Sequence, residues 1–164
     1  MRICRQTLFG VLALAALCAF GGSEAREPAP RFSAKTLTGE KLTNDSVKGK
    51  VVLLQFWTTW CPYCRRDQSA VDAIDREFAG KGLIALAVNV GESRKTVTEY
   101  LEQNPRSCRI VLTEDSNLAA VFAATSFPIY VLIDREGNIA GTQRGAGGEA
   151  ALRRLLSRAG LESD

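Results

Sequence analysis

The residues best suited to chemistry are two cysteines, Cys61 and Cys64, separated by two residues. They follow the apolar run at residues 51–54, so the first cysteine is expected where a buried strand gives way to a helix. Unsatisfied backbone N–H groups and the positive end of the helix dipole stabilise a thiolate there. The second cysteine lies one helical turn later, close enough to form a disulfide with the first. This spacing predicts dithiol–disulfide chemistry.

The residues around the pair support the same prediction. Pro62 falls at the first helical position, where its missing N–H costs nothing and its fixed φ suits the turn. Trp60 precedes the first cysteine and is expected to shield the disulfide and to offer substrates an apolar platform. Arg65 and Arg66 could also favour the thiolate, although arginines at such positions are most often simply solvated on the surface. Cys61 should therefore be the exposed, reactive thiol and should titrate below the usual value of about 8.5.

Two other interpretations of the pair are possible, a zinc site and a structural disulfide. A structural zinc site needs four ligands, whereas the chain has no histidine and, after residue 25, one further cysteine, Cys108. A structural disulfide between cysteines so close in sequence gains little loop-closure entropy. Cys108 itself begins an apolar strand and is expected to be a small buried side chain rather than a third reactive thiol.

The first 25 residues have the pattern of a secretory signal peptide. Arg2 and Arg5 precede an apolar stretch at residues 8–20, and small residues follow at 21–25. We expect export to the periplasm, an oxidising compartment where disulfides persist. A retained membrane anchor is the alternative, although the stretch is shorter than the roughly 18–20 residues that span a bilayer. Lipid modification at Cys18 is a further alternative.

After this signal peptide, residues 26–30 read as a solvated linker and residues 31–164 as one domain. The formal net charge of +3 is too small to indicate binding to nucleic acid or to a membrane surface. Strand patterns alternate with helix patterns, which predicts an α/β domain with a central mixed β-sheet and helices on both faces. The predicted elements are a hairpin over 31–43, strands at 51–57, 83–90, 109–113, 129–133 and 139–142, and helices at 62–78, 94–102, 117–123 and 148–159.

Several motifs together resemble the TlpA/ResA/CcmG-like group of thioredoxin-fold thiol–disulfide oxidoreductases. They are FWTTWCPYC at residues 56–64, VNVGES at 88–93, Phe127-Pro128, and LID followed by Gly137. The resemblance implies a thioredoxin-like fold with an N-terminal hairpin and a central strand–helix insertion over residues 91–123. No bound cofactor or metal is implied.

The resemblance also implies roles for individual residues. Cys61 would be the attacking thiolate and Cys64 the resolving thiol. Pro128 would be a cis-proline facing the disulfide, and Phe127 would offer backbone groups to an extended substrate peptide.

Three positions depart from related sequences. Thioredoxins carry a buried acid six residues before the first cysteine, but here the residue is Gln55, which cannot accept a proton. ResA-type members have a glutamate three residues after the second cysteine, where this chain has Asp67. Asp67 could assist proton transfer or contact substrate, or simply complement the helix dipole. The Pro62-Tyr63 dipeptide between the cysteines matches that of glutaredoxins and tunes the stability of the thiolate.

The sequence thus predicts a monomeric, exported oxidoreductase that reduces disulfides in periplasmic proteins. Apocytochrome c cysteines and the copper-site cysteines of an oxidase are the substrates that the resemblance implies, and a membrane or periplasmic protein would donate the electrons. An oxidase that introduces disulfides would run the same steps in reverse. A copper-binding chaperone is the alternative from another class, because soft thiolates suit Cu(I).

Overall fold

The computed structural model describes residues 26–163, and the predicted signal peptide lies outside them. No helix within 26–163 combines the length and apolar character that crossing a bilayer requires. The described elements are the strands β1 (Ser33–Thr36), β2 (Lys41–Thr43), β3 (Val51–Trp57), β4 (Leu83–Asn89), β5 (Arg109–Ser116), β6 (Ile129–Ile133) and β7 (Ile139–Arg144), and the helices α1 (Pro62–Phe78), α2 (Arg94–Gln103), α3 (Leu118–Val121) and α4 (Gly148–Ser157).

The strands form one mixed sheet in the order β2-β1-β5-β4-β3-β6-β7. Strand β3 runs parallel to β4 on one side and antiparallel to β6 on the other. Every residue of β3 is buried, as a strand covered on both faces requires, and this explains its continuous apolar run. The carboxyl end of this central strand leads directly into α1, so the sheet fixes where that helix begins.

The two faces of the sheet carry unequal layers. Helices α1, α2 and α4 pack on one face, with a core that includes Leu53, Val71, Val97 and Leu155. The short helix α3 and the N-terminal segment cover the other face, around side chains such as Phe32, Val47, Leu54, Phe56 and Leu118. The predicted central mixed sheet with helices on both faces is confirmed, with the longer helices all on one side.

Two strands extend further than the sequence pattern predicts. Strand β5 continues to Ser116, because Ser116 still pairs with Ala34 of β1. Strand β7 continues to Arg144, which pairs with Ile129. In both cases backbone pairing with a neighbouring strand carries the element past the point where apolar residues stop.

Residues 26–30 differ from the predicted solvated linker. They are largely exposed, but Ile139 donates its backbone N–H to Glu27 at 2.8 Å, and Ala29 donates to Gly137 at 2.9 Å. Pro28 forms an isolated antiparallel bridge with Asn138. The segment is therefore fixed along the turn between β6 and β7, because that turn offers backbone groups that the sheet does not use.

Candidate active site

Cys61 and Cys64 form a disulfide at the start of α1, with their Cα atoms 5.3 Å apart. Cys61 is the N-cap residue of the helix, and its sulfur accepts a hydrogen bond of 3.1 Å from the backbone N–H of Cys64. Pro62 occupies the first turn, as predicted. At the start of the helix, the backbone N–H of Cys64 thus points at the Cys61 sulfur. This arrangement stabilises a thiolate on Cys61 when the pair is reduced.

The disulfide is less accessible than the sequence analysis expects. In this oxidised pair Cys61 is 3% exposed and Cys64 is fully buried. Phe127 contributes to the cover, because its carbonyl oxygen lies 3.8 Å from the Cys61 sulfur. The segment that contains Phe127 therefore limits the access of a substrate to the Cys61 sulfur.

The peptide bond between Phe127 and Pro128 is cis, as the resemblance implies. Pro128 is buried, and its carbonyl oxygen accepts a hydrogen bond of 2.8 Å from Gly145. This bond joins the cis-proline segment to the loop that precedes α4. It continues the pairing of β6 with β7 one step beyond Ile129 and Arg144, so the two segments are the ends of one hairpin.

Two exposed aromatic side chains lie next to the cysteines in the sequence. Trp60 is 64% exposed and Tyr63 is 57% exposed. The Trp60 ring meets that of Phe127 edge-on, with centroids 6.2 Å apart. The two arginines after the pair have different contacts: Arg65 donates to the carbonyl of Thr59 at 2.8 Å, and the Arg66 guanidinium lies 5.3 Å from the Tyr63 ring centroid.

Asp67 is almost completely buried, and it does not lie in the first turn of α1. Its carboxylate accepts hydrogen bonds from the Tyr130 hydroxyl at 3.1 Å, from Gly147 at 3.1 Å and from Gly148 at 3.2 Å. The expectation that Asp67 complements the dipole of its own helix is wrong, because its position faces the core. It instead holds the start of α4, and a role in proton transfer stays a hypothesis.

Gln55 takes part in a directed chain of buried hydrogen bonds that ends at Asp67. Arg106 donates to the Gln55 amide oxygen at 3.3 Å, and the Gln55 amide donates to the Tyr130 hydroxyl at 3.3 Å. Burial, followed by the neighbouring Asp67 carboxylate, raises the pKa of Tyr130 well above its ordinary value, so Tyr130 stays a neutral donor. Arg106 is in turn held by both carboxylate oxygens of Asp72. Sequence reasoning missed Tyr130 and Arg106, since no local signal marks either residue.

Glu92 holds the turn that leads from β3 to the first cysteine. Its carboxylate accepts hydrogen bonds from the Thr59 backbone N–H at 2.7 Å and from the Thr59 hydroxyl at 2.6 Å. The Asn89 amide donates to it at 2.6 Å. In the sequence, Glu92 is distinguished only as part of the VNVGES motif. The structure makes it an anchor for the residues directly before Cys61.

Cys108 is a free thiol and is buried, as predicted. Burial raises its pKa to about 12, although the nearby Arg106 opposes the shift. Within the described part of the chain, no group of three or more histidine, cysteine, aspartate or glutamate side chains is placed to hold a metal ion.

Comparisons with known proteins agree with this geometry. The family model described as Redoxin matches residues 24–156. Thioredoxin-like protein YneN of Bacillus subtilis is 35% identical over 121 residues, which cover 72% of this chain and 70% of that protein. Thiol-disulfide oxidoreductase ResA of Halalkalibacterium halodurans is 30% identical over 117 residues, covering 71% and 66%. The crystal structure of a thiol:disulfide interchange protein of the thioredoxin family from Chlorobium tepidum superposes with a TM-score of 0.73 at 26% identity, covering 84% of this chain and 99% of that one.

Proposed function

We propose that this chain, which belongs to the Redoxin family and is a thiol–disulfide oxidoreductase with a thioredoxin-like fold, is exported and reduces disulfides of periplasmic proteins. The observation that carries the proposal is the Cys61–Cys64 disulfide at the start of α1, next to the cis peptide bond before Pro128. The leader-like N-terminal sequence supports export.

The reduced pair would transfer two electrons to the substrate in two exchange steps. The Cys61 thiolate attacks one sulfur of the substrate disulfide, forms a mixed disulfide, and releases the other substrate sulfur as a thiolate. Cys64 then loses its proton and attacks the Cys61 sulfur, which restores the internal disulfide and releases the second substrate thiolate. The hydrogen bond from the backbone N–H of Cys64 to the Cys61 sulfur supports the first step, because it favours the thiolate that attacks.

Substrate and donor are proposed on the resemblance to the TlpA/ResA/CcmG-like group. They would be apocytochrome c or copper-site cysteines on one side, and a membrane or periplasmic electron donor on the other. The exposed Trp60 and Tyr63 next to the disulfide suit a protein substrate, because aromatic side chains bury much apolar area at an interface.

The first alternative is an oxidase that runs the same two steps in reverse. The reduction potential of the Cys61–Cys64 pair separates the two directions. Thioredoxin-fold proteins span roughly −120 to −270 mV, and a reductase should lie near the negative end of that range. A potential near the other end would favour the oxidase.

The order of attack is tested by replacing each cysteine in turn. Cys64→Ser should trap a mixed disulfide between Cys61 and a substrate peptide, because the resolving thiol is missing. Cys61→Ser should abolish reduction of the same peptide. The adducts can be identified by mass spectrometry after acid quenching. Recovery of the trapped substrate on Cys64 in Cys61→Ser would contradict the assignment.

A further inference from the structure

Exposed large apolar side chains are concentrated next to the disulfide-forming cysteines. Between residues 26 and 163, three large apolar residues are exposed, and Trp60 and Tyr63 are two of them. Tyr63 stands between the two cysteines in sequence. The guanidinium of Arg66 lies over the Tyr63 ring, 5.3 Å from the ring centroid, in a cation–π contact.

Arg66 has no carboxylate partner among the described residues, which is also true of the exposed Arg31, Arg65, Arg76, Arg144, Arg154 and Arg158. Of these, Arg65 and Arg66 directly follow Cys64, and Arg65 is already engaged with the Thr59 carbonyl. The interaction of Arg66 with the Tyr63 ring occupies one face of the guanidinium and leaves the N–H groups along its edge available. Some arginines further from the cysteines do form ion pairs, such as Arg94 with Asp115, Arg109 with Glu40, and Arg153 with Glu77.

The acidic side chains close to this region are already engaged within the protein. Glu92 accepts three hydrogen bonds from Thr59 and Asn89. Asp67 is buried with three donors of its own, and Glu149 pairs with Arg153 at 2.6 Å. Arg66 therefore contributes a positive charge that no neighbouring carboxylate neutralises.

We propose that the substrate segment that binds here carries an acidic side chain within a few residues of its disulfide-bonded cysteine, and that Arg66 binds that carboxylate. This inference rests on the proposed function, since it specifies the substrates of the same site. Arg66 also lines an open groove of about 530 Å³ between α1 and the start of α4, which leaves room for the incoming side chain. Asp67 and Glu149 line the same groove, but both carboxylates are paired within the protein. The planar guanidinium, held by Tyr63, is pre-organised for a bidentate contact with a carboxylate.

The preference should be modest and sensitive to salt. Arg66 is exposed, so the ion pair forms in a high dielectric and is screened at high ionic strength. Exposed pairs of this kind change rates by roughly two- to fivefold. The effect should appear in kcat/KM more than in kcat, because the charge assists encounter and docking rather than sulfur exchange.

The test uses short peptides that contain one disulfide and differ only at a position two residues from a cysteine, where they carry Glu, Gln or Lys. For the wild-type protein at low salt, kcat/KM should be two- to fivefold higher for the Glu peptide than for the Gln peptide. In Arg66→Gln this ratio should fall to about one, and in Arg66→Glu the Lys peptide should become the best substrate. High salt should remove the preference of the wild type.

Arg76→Gln provides the matched control, because it removes the same charge from an exposed position later on the same helix. The Glu-to-Gln ratio should persist in this variant. A ratio near one in the wild type, or one that survives in Arg66→Gln, would overturn the inference. The direction of electron transfer is judged separately, from the Gln peptide alone. Both its disulfide and its dithiol form are offered. If the protein oxidises the dithiol form but does not reduce the disulfide form, the reductase proposal fails and the charge ratio is measured with the dithiol peptides.

Discussion

Asp67 provides a buried carboxylate one helical turn after Cys64, while strand β3 carries Gln55 where thioredoxins have an acid. Comparison of sequences identifies that exchange, but not its consequence. Tyr130 lies 63 residues further along the chain and connects the two side chains through its hydroxyl group. Compared with thioredoxins, the buried carboxylate thus stands on the helix that carries the cysteines and not on the central strand. The amide of Gln55 remains as a link in the chain of hydrogen bonds.

Cys108 should take no part in the redox cycle. Cys108→Val should leave the rate of peptide-disulfide reduction and the potential of the Cys61–Cys64 pair unchanged. Iodoacetamide should fail to label Cys108 in the folded protein at pH 9 and should label it in urea, because the thiolate that reacts forms only in the unfolded chain. Lost turnover in a folded Cys108→Val protein would make Cys108 a third working thiol.

The same thiol should make stability depend on alkaline pH. An unfolded cysteine ionises near pH 8.5, whereas the folded one keeps its proton until about pH 12. The folded state therefore loses stability as pH rises above about 8.5, by up to about 1.4 kcal/mol per pH unit. Urea unfolding at pH 7 and pH 10 should show this loss in a Cys61→Ser, Cys64→Ser background, where no disulfide can exchange. Adding Cys108→Val should reduce the loss.

The turn between β3 and α1 is fixed from two sides. Glu92 accepts both hydrogen bonds that Thr59 can donate, and Arg65 binds the Thr59 carbonyl. Because Thr59 lies two residues before Cys61, these contacts set the position of the first cysteine relative to the cis-proline segment. They join the carboxyl ends of two parallel strands to the helix that performs the chemistry.

Glu92→Gln should therefore weaken both the fold and the reaction. The NH2 group that replaces one carboxylate oxygen cannot accept a hydrogen bond, so at least one of the three donors loses its partner, at a cost of about 1–3 kcal/mol. Urea denaturation should show this cost, and kcat/KM for a neutral disulfide peptide should fall several-fold. Glu99→Gln is the control, because Glu99 is exposed and pairs only with Lys95 at 3.7 Å. Equal behaviour of the two variants would contradict the role of Glu92.

The sequence predicted the elements far better than the contacts between them. Strand β3, helix α1 and strand β6 match their predicted bounds, because each has a clear apolar pattern with turn residues at its ends. The buried position of Asp67 was not predictable, since its partners at the start of α4 lie 80 and 81 residues away. Sequence spacing reveals the face of a helix, but not which distant donors meet it.

Arg26, the first described residue, contacts two parts of the domain that are distant in sequence. Arg26 donates to the Asp134 carboxylate at 3.0 Å and to the carbonyl of Arg158 at 2.8 Å. It thereby connects the start of the domain to the turn after β6 and to the end of α4. Burial alone would raise the pKa of Asp134, but the backbone N–H of Asn138 and the charge of Arg26 together hold it below its usual value.

Arg26→Gln should make the protein less stable at neutral pH and less sensitive to acid. A carboxyl group whose folded pKa is lowered stabilises the fold above about pH 4, and this stabilisation disappears as pH falls through the folded value. Since Arg26 is 44% exposed, the loss at pH 7 should be at most about 1 kcal/mol, and it should be smaller at pH 3. Urea unfolding at both pH values measures it. Arg31→Gln, at another exposed arginine, should show no such trend, and a shared trend would refute the role of Arg26.

The hydrogen bonds of residues 27–29 also fix where the N-terminal end of the domain lies relative to the disulfide. These residues meet the turn that follows β6, whereas Phe127, which lies beside the Cys61 sulfur, directly precedes the same strand. Residues 27–29 and the disulfide therefore lie near opposite ends of β6. The five residues of this strand span roughly 17 Å. Attachment to any surface through residues before Arg26 would point the disulfide outward. A reaction partner embedded in that surface would have to reach past the length of the sheet, while a freely diffusing one would meet the disulfide directly.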